Sequence, residues 1–197
     1  MGGVSQVNLS VEGRPLDESR LVEQAKNGDM SAYSELVRAH QAVALRVAYL
    51  VLRDGPEAED ATQVALMKAY RALDRFRSGA EFRPWLLRIV RNEALNRRRG
   101  ADRRAGLALR VASDPVLGDA APSPETVVVQ RDERRQLLEA VEGLPARLRD
   151  VIEFRYFLGL SEAETARALG VAAGTVKSRS ARAMERLRLT AGASSDE

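Results

Sequence analysis

Near the carboxyl end, a short stretch places cationic side chains at helical spacing. Its basic face consists of Lys177, Arg179, Arg182 and Arg186. Val176, Ala183 and Leu187 recur at spacings of seven and four, which puts them on an opposite, apolar face. The pattern predicts a helix beginning at about Thr175, with one buried face and one strongly basic face. Ammonium and guanidinium groups so arranged favour binding to a nucleic acid.

The residues before this helix predict how it is positioned. Ser161 followed by Glu164 matches a capping box, which predicts the start of a shorter helix. Gly170 is a suitable left-handed terminator for that helix. A short helix, a tight turn containing glycine and a basic second helix are typical of a helix-turn-helix.

Basic residues are concentrated in two segments. Residues 83–104 contain eight arginines and two acidic residues, and residues 167–188 contain six lysines and arginines and one acidic residue. The formal net charge of the chain is only +3, so the balancing acids lie elsewhere. Two such segments favour two surfaces that face polyanions. The alternative for either segment alone is a solvated helix face.

Composition favours an all-α fold. The chain has 197 residues, of which 45% are hydrophobic and only 5% aromatic, and it is rich in alanine, leucine and arginine. It contains no cysteine, which fits a reducing cytoplasm. The amino terminus lacks the pattern of a secretory signal, and no apolar run approaches the roughly 18 residues of a membrane span. We therefore expect a cytoplasmic protein without membrane insertion.

The first half of the chain predicts four helices. Their expected ranges are 16–27, 29–53, 56–73 and 82–99. Asp29 is expected to cap the second helix, and Pro56 lies near the first turn of the third. Residues 1–15 are polar and are expected to be disordered.

Residues 100–131 differ in character from the segments on either side. They contain Pro115, Pro122 and Pro124 and no sustained apolar period, which predicts a linker with at most one short helix near 107–111. Helical patterns resume at 132–142 and 145–157. We expect two small helical domains, 16–99 and 132–189, joined by a flexible linker and followed by a tail at 190–197.

Enzymatic chemistry is disfavoured by the residues present. There is no phosphate-binding glycine loop, no nucleophile elbow and no cysteine nucleophile. His40 is the only histidine, so it is better explained as a surface or hydrogen-bonded residue than as a metal ligand or catalytic base. We expect no catalytic residue, no bound metal and no cofactor.

Several of these motifs together resemble one family. Residues 58–63 (AEDATQ), 68–77 (KAYRALDRFR) and 82–86 (FRPWL) are similar to regions 2.2 to 2.4 of the extracytoplasmic-function sigma factors of the sigma-70 family. Residues 28–37 resemble region 2.1, and residues 144–145 and 160–179 resemble region 4. Val64 departs from the pattern, because family members usually carry an acidic residue there. The resemblance implies a promoter-recognition subunit of bacterial RNA polymerase.

The resemblance implies that the helix-turn-helix binds the −35 promoter element. By position, Lys177, Ser178 and Arg182 are then the candidates for reading base edges. Thr175 and Arg179 are the candidates for holding phosphates, which fixes register rather than sequence.

The resemblance places recognition of the −10 element on the first domain. Capture of unpaired bases there is expected from the exposed face of the fourth helix, with Arg88, Asn92 and Asn96, and from the loop at 74–81 with Phe76. For Phe76 a second role is equally open, because its ring could fold onto the core.

Two protein partners are also implied by the resemblance. Glu59, Asp60 and Gln63 match the residues that dock on the clamp coiled coil of the largest subunit of core RNA polymerase. An anti-sigma factor is the second expected partner. A competing hypothesis is a helix-turn-helix repressor or activator that does not bind polymerase, but it leaves the pattern of residues 59–77 unexplained.

Overall fold

The computed structural model describes residues 17–77, 79–109 and 136–193. The predicted disordered segment at 1–15, most of the predicted linker and residues 194–197 of the predicted tail lie outside these ranges. All regular structure in the described ranges is helical, which confirms the all-α prediction. The chain divides into two compact units, with the boundary between Gly100 and Ala101.

The described residues of the first unit form four helices, the last of which continues past the boundary at Gly100. They are α1 (Glu18–Lys26), α2 (Met30–Leu52), α3 (Gly55–Ala72), which ends in a 3-10 turn at Leu73–Arg75, and α4 (Phe82–Leu109). Asp29 caps α2 by accepting hydrogen bonds from the backbone N–H of Ala32 and of Ser31, and these bonds hold the pKa of the Asp29 carboxyl below its usual value. Asp54 caps α3 through the backbone N–H of Glu57 at 2.9 Å. Short-range capping therefore fixes where both helices begin.

Small side chains let α2 and α3 approach closely. Ala58, Ala61, Ala65 and Ala69 are fully buried along one face of α3. Tyr33 of α2 donates its hydroxyl hydrogen to the carbonyl oxygen of Leu66 at 2.6 Å, and burial raises the pKa of Tyr33 to about 12. A buried hydroxyl with a partner avoids the penalty of an unsatisfied polar group.

Helix α4 is longer than the sequence predicts. The sequence predicts an end at about Arg99, but the helix continues through Gly100 to Leu109. A single glycine costs a helix about 1 kcal/mol relative to alanine, and the arginines and alanines around Gly100 favour helix. The short helix expected near 107–111 is thus the end of α4 as far as Leu109, and residues 110 and 111 lie outside the described ranges.

Over residues 136–193, the second unit shows four helical segments. Residues 136–142 form α5, and Ala146–Ile152 forms α6, which runs into a π-helical turn at Glu153–Phe157. Helix α7 spans Glu162–Leu169, and α8 spans Ala173–Ala193. One core cluster joins Val141, Leu144, Ile152 and Ala183, with Leu148, Met184 and Leu187 packed against it. A second joins Val151, Ala166 and Val176. These clusters hold α6 and α7 against α8.

No helix in the described part of the chain is long and apolar enough to cross a membrane.

Candidate functional site

The turn between α7 and α8 is fixed by local hydrogen bonds. The Ser161 hydroxyl accepts the N–H of Glu164 at 3.2 Å, and the Glu164 carboxylate accepts the N–H of Ser161 at 2.7 Å. This confirms the predicted capping box. Gly170 ends α7 in the left-handed conformation, with φ 68°, and the N–H of Val171 donates to the carbonyl oxygen of Ala166 at 2.9 Å. The direction in which α8 leaves the turn is therefore set by backbone contacts.

Helix α8 has one buried face and one exposed face, as the sequence predicts. Val176 and Ala183 are fully buried, while Lys177, Ser178 and Arg182 are exposed. Thr175 and Arg179 are half-buried at the edge between the two faces. The helix begins at Ala173, two residues before the expected start. The arrangement offers ammonium, hydroxyl and guanidinium donors on one accessible face, which suits the base edges and phosphates of a DNA groove.

A second polar face lies on α4. Arg88, Asn92 and Asn96 are all exposed, and their spacing of four residues places them along one side of the helix. Two amides and a guanidinium in a row can pair with base edges and with a phosphate. The structure thus brings these three predicted residues together.

Phe76 does not join that face. Its side chain is 4% exposed, and its ring packs edge-on against Trp85, with centroids 4.9 Å apart, and against Phe82 at 6.0 Å. Of the two roles left open by the sequence, the structure shows the core role. Phe76 is therefore not among the residues we propose to contact DNA. Trp85 is the half-exposed member of this aromatic cluster.

The third predicted set lies on α3. Glu59 and Asp60 are exposed in its second turn, and Gln63 is exposed in its third. They lie opposite the alanine face that packs on α2, so their side chains are accessible to a partner. Acidic residues near the start of a helix also interact favourably with the helix dipole.

Arg97 of α4 joins this acidic set, and sequence reasoning missed it. Its Nη1 donates to Oε2 of Glu57 at 3.0 Å and lies 3.8 Å from Oδ2 of Asp60, and its Nε lies 3.6 Å from Oε1 of Glu93. Glu93 in turn accepts from Lys68 of α3. Burial alone would lower the pKa of Arg97, but the hydrogen bond with Glu57 and the nearby carboxylates raise it overall. The guanidinium therefore stays charged and links α4 to α3.

His40 is a buried side chain that lies close to a carboxylate of α1. It is 1% exposed, its Nε2 lies 3.0 Å from Oε1 of Glu18, and its ring packs against Phe82. In the part of the chain that the structure describes, no group of three histidine or acidic side chains is arranged to hold a metal ion.

Comparison with known proteins places both units in one family. The Sigma-70 region 2 family matches residues 36–104, and the Sigma-70, region 4 family matches residues 134–187. The chain is 34% identical to RNA polymerase sigma-H factor of Pseudomonas aeruginosa over 85% of this chain and 90% of that protein. It is 39% identical to the ECF RNA polymerase sigma factor SigM of Mycobacterium tuberculosis over 81% of this chain and 77% of that protein.

A solved structure is similar over most of the chain. The sigma factor RpoE of Bartonella quintana, determined in complex with the anti-sigma factor NepR, has a TM-score of 0.61 and 25% identity, covering 81% of this chain and 96% of that chain.

The fold and the matched regions define a transcription initiation factor of the sigma class. The chain belongs to the extracytoplasmic-function sigma factors of the sigma-70 family. It therefore acts with core RNA polymerase in promoter-specific initiation of transcription. The match of the first unit to region 2 is not explained by the competing hypothesis of a helix-turn-helix repressor or activator.

Proposed function

We propose that this chain recognises promoters at two points, with α8 on the −35 element and α4 on the −10 element. The observation that carries the proposal is the exposed row of Lys177, Ser178 and Arg182 on a helix whose direction is fixed by its capped turn. In this assignment these three side chains read base edges. Thr175 and Arg179, at the edge of the same face, hold phosphates.

The −10 element is assigned to the exposed face of α4. Asn92 and Asn96 can each donate and accept hydrogen bonds with an unpaired base, while Arg88 holds the backbone. The aromatic cluster of Phe76, Phe82 and Trp85 holds the first turn of α4 in place through ring contacts. Its role is to position α4 rather than to stack on DNA.

Docking on core polymerase is assigned to Glu59, Asp60 and Gln63 of α3. Their exposure makes them accessible to a helical partner surface such as the clamp coiled coil of the largest subunit. Val64, where family members usually have an acidic residue, is half-buried next to Gln63. The docking surface therefore consists of two acidic residues and one glutamine, without a third acid at position 64.

The domain roles follow from these assignments. Residues 16–99 form the polymerase-binding and −10-binding domain, and residues 132–189 form the −35-binding domain. The connection is 100–131, of which 100–109 is the end of α4. Because the nucleotide chemistry belongs to the polymerase, this chain requires no catalytic residue and no cofactor of its own. We assign it to the cytoplasm, where its polymerase partner acts. We assign an anti-sigma factor as regulator by analogy with the Bartonella quintana sigma factor, whose structure contains one.

Holoenzyme assembly tests the docking assignment. Asp60→Lys combined with Gln63→Lys should abolish binding to core polymerase, because it reverses the charge of an exposed surface. The circular dichroism spectrum should stay unchanged. Glu35→Lys combined with Gln41→Lys is the matched control, since it also replaces one acidic residue and one glutamine by lysine, at exposed positions of α2. Core binding retained by the α3 variant would refute the docking assignment.

A further inference from the structure

A cation of the chain itself lies beside the surface that we assign to polymerase docking. Nη1 of Arg97, on α4, is 3.8 Å from Oδ2 of Asp60 on α3. The same guanidinium donates a hydrogen bond to Oε2 of Glu57 at 3.0 Å, and its Nε lies 3.6 Å from Oε1 of Glu93. Of these three acids, only Asp60 belongs to the docking set. One docking carboxylate is therefore shared between a partner inside the chain and a partner outside it.

The three carboxylates hold Arg97 to different degrees. Glu57 accepts a hydrogen bond from it, and Glu93 is buried, with Lys68 as a second cationic partner. Asp60 lies beyond hydrogen-bond distance of the guanidinium, and its side chain is 68% exposed. Asp60 can therefore turn towards an external cation while Glu57 and Glu93 keep Arg97 in place.

Arg97 nevertheless reduces the negative charge that Asp60 presents to solvent. A guanidinium does not deprotonate in proteins, so this cation is present at any working pH. Opposite charges at this distance attract one another even in water. A cationic group of the polymerase must therefore compete with Arg97 for the Asp60 carboxylate.

We infer that Arg97 is an internal competitor of the polymerase, which lowers docking affinity by pairing with Asp60 in the unbound chain. The inference rests on the assignment of Asp60 to docking. In the complex, Asp60 turns to the partner, and Arg97 remains with Glu57. Helix α4 keeps that contact with α3 in both states, so the face assigned to the −10 element keeps its position.

Arg97→Gln in the full chain tests this competition, because glutamine removes the charge and retains a good helix former. The probe is core RNA polymerase, titrated with each variant. The dissociation constant should fall by about fivefold at low salt, since exposed ion pairs change an equilibrium by up to this factor. The gain should fade as the salt concentration rises, because exposed charges are screened. Arg97→Lys should bind about as tightly as the wild type, because it keeps the charge.

Asp60→Asn shows whether Asp60 is the carboxylate for which the two cations compete. Alone, it should weaken binding to core polymerase, because the docking surface loses an acid. In combination with Arg97→Gln, no gain in affinity should remain. The two substitutions should thus be strongly non-additive, as expected for residues that act through one contact.

Arg99→Gln is the matched control. Arg99 is exposed on the same helix and makes no ion pair with a described residue, so the variant removes the same charge without freeing Asp60. Its affinity for core polymerase should equal that of the wild type. Circular dichroism of each variant shows whether the helices are retained.

Four results would overturn the inference. They are unchanged or weaker core binding by Arg97→Gln, an equal gain in Arg99→Gln, a gain that persists beside Asp60→Asn, and reduced permanganate reactivity of the −10 element when Arg97→Gln saturates the polymerase. The last would place Arg97 in the DNA interface. Failure of the docking assignment looks different, because Asp60→Asn alone would then leave core binding unchanged.

Discussion

Arg97 and Glu57 are separated by 40 residues in the sequence, yet Nη1 of Arg97 donates to Oε2 of Glu57 at 3.0 Å. The same guanidinium lies 3.8 Å from Asp60, which we assign to polymerase docking. An arginine of α4 thus touches the acidic start of α3, so one contact joins the helix assigned to DNA and the helix assigned to polymerase.

Loss of this arginine should destabilise the first unit modestly. Glu57 and Asp60 have side chains that are 54% and 68% exposed, and exposed pairs contribute up to about 1 kcal/mol each. Glu93 would keep Lys68 as its partner. We therefore expect Arg97→Ala to lower the free energy of unfolding by roughly 1 kcal/mol. Urea denaturation followed by Trp85 fluorescence measures this, because Trp85 lies on the same helix.

Arg99→Ala is the control for that measurement. Arg99 is exposed two residues further along α4 and makes no ion pair with a described residue, so its loss should leave the Trp85 transition unchanged. Equal shifts for Arg97→Ala and Arg99→Ala would mean that helix propensity, and not the contact with Glu57, explains the effect.

The capping box should contribute measurably to the stability of the second unit. Ser161→Ala removes the acceptor for the N–H of Glu164, and loss of an N-cap typically costs about 1 kcal/mol. Urea denaturation followed by circular dichroism should show the unfolding transition at a lower urea concentration. Ser161→Asp should restore most of the loss, since aspartate is also a good N-cap. An unaltered transition in Ser161→Ala would show that the buried contacts of Ala166 and Val176 position α7 without the cap.

Local and distant features of the fold differ in how well the sequence predicts them. Asp29 and Ser161 lie within three residues of the amides they cap, and the sequence predicts these ends of helices. The contact between Arg97 and Glu57 has no such local signal, because it depends on how α3 and α4 pack. Charge spacing along either helix alone does not reveal it.

Two positions show where the sequence alone does not decide the structure. Gly100 suggests a helix end, but one glycine is too weak a signal to stop α4 when its neighbours favour helix. Phe76 follows a predicted helix in a polar loop, and only the packed structure shows its ring between Phe82 and Trp85. By contrast, the exposed faces of α8 and α4 follow from helical periodicity, and the structure shows both.

Selectivity for the −35 element should depend on Arg182. A bidentate contact to a base edge contributes about 1–3 kcal/mol of discrimination. The probe is a −35 duplex selected from a randomised pool by the wild-type holoenzyme, and a duplex with that element scrambled is its counterpart. We expect Arg182→Ala to weaken binding to the selected duplex and to relax the preference at one base position. A panel of single-base variants of the duplex, titrated with holoenzyme, measures this. Similar losses of affinity on the selected and scrambled duplexes would reassign Arg182 to phosphate binding. Arg188→Ala, which removes another exposed arginine of α8, is the control and should retain full selectivity.

Opening of the −10 element should depend on the amides of α4. Asn92→Ala combined with Asn96→Ala removes two side chains assigned to unpaired bases, and each hydrogen bond contributes roughly 1 kcal/mol. Permanganate reactivity of unpaired thymines should fall on the order of tenfold, while binding of closed duplex DNA is retained. Asn27→Ala combined with Gln41→Ala changes two exposed amides elsewhere in the first unit and should leave the reactivity unchanged. Full reactivity in the α4 variant would contradict the assignment.

Transcription in vitro from a promoter library tests the central claim most directly, with core RNA polymerase alone and with this chain added. We predict that the chain produces discrete new transcripts that share −35 and −10 sequences, and that Asp60→Lys combined with Gln63→Lys removes them. The contradictory result is a chain that binds duplex DNA but leaves the transcripts of core polymerase unchanged.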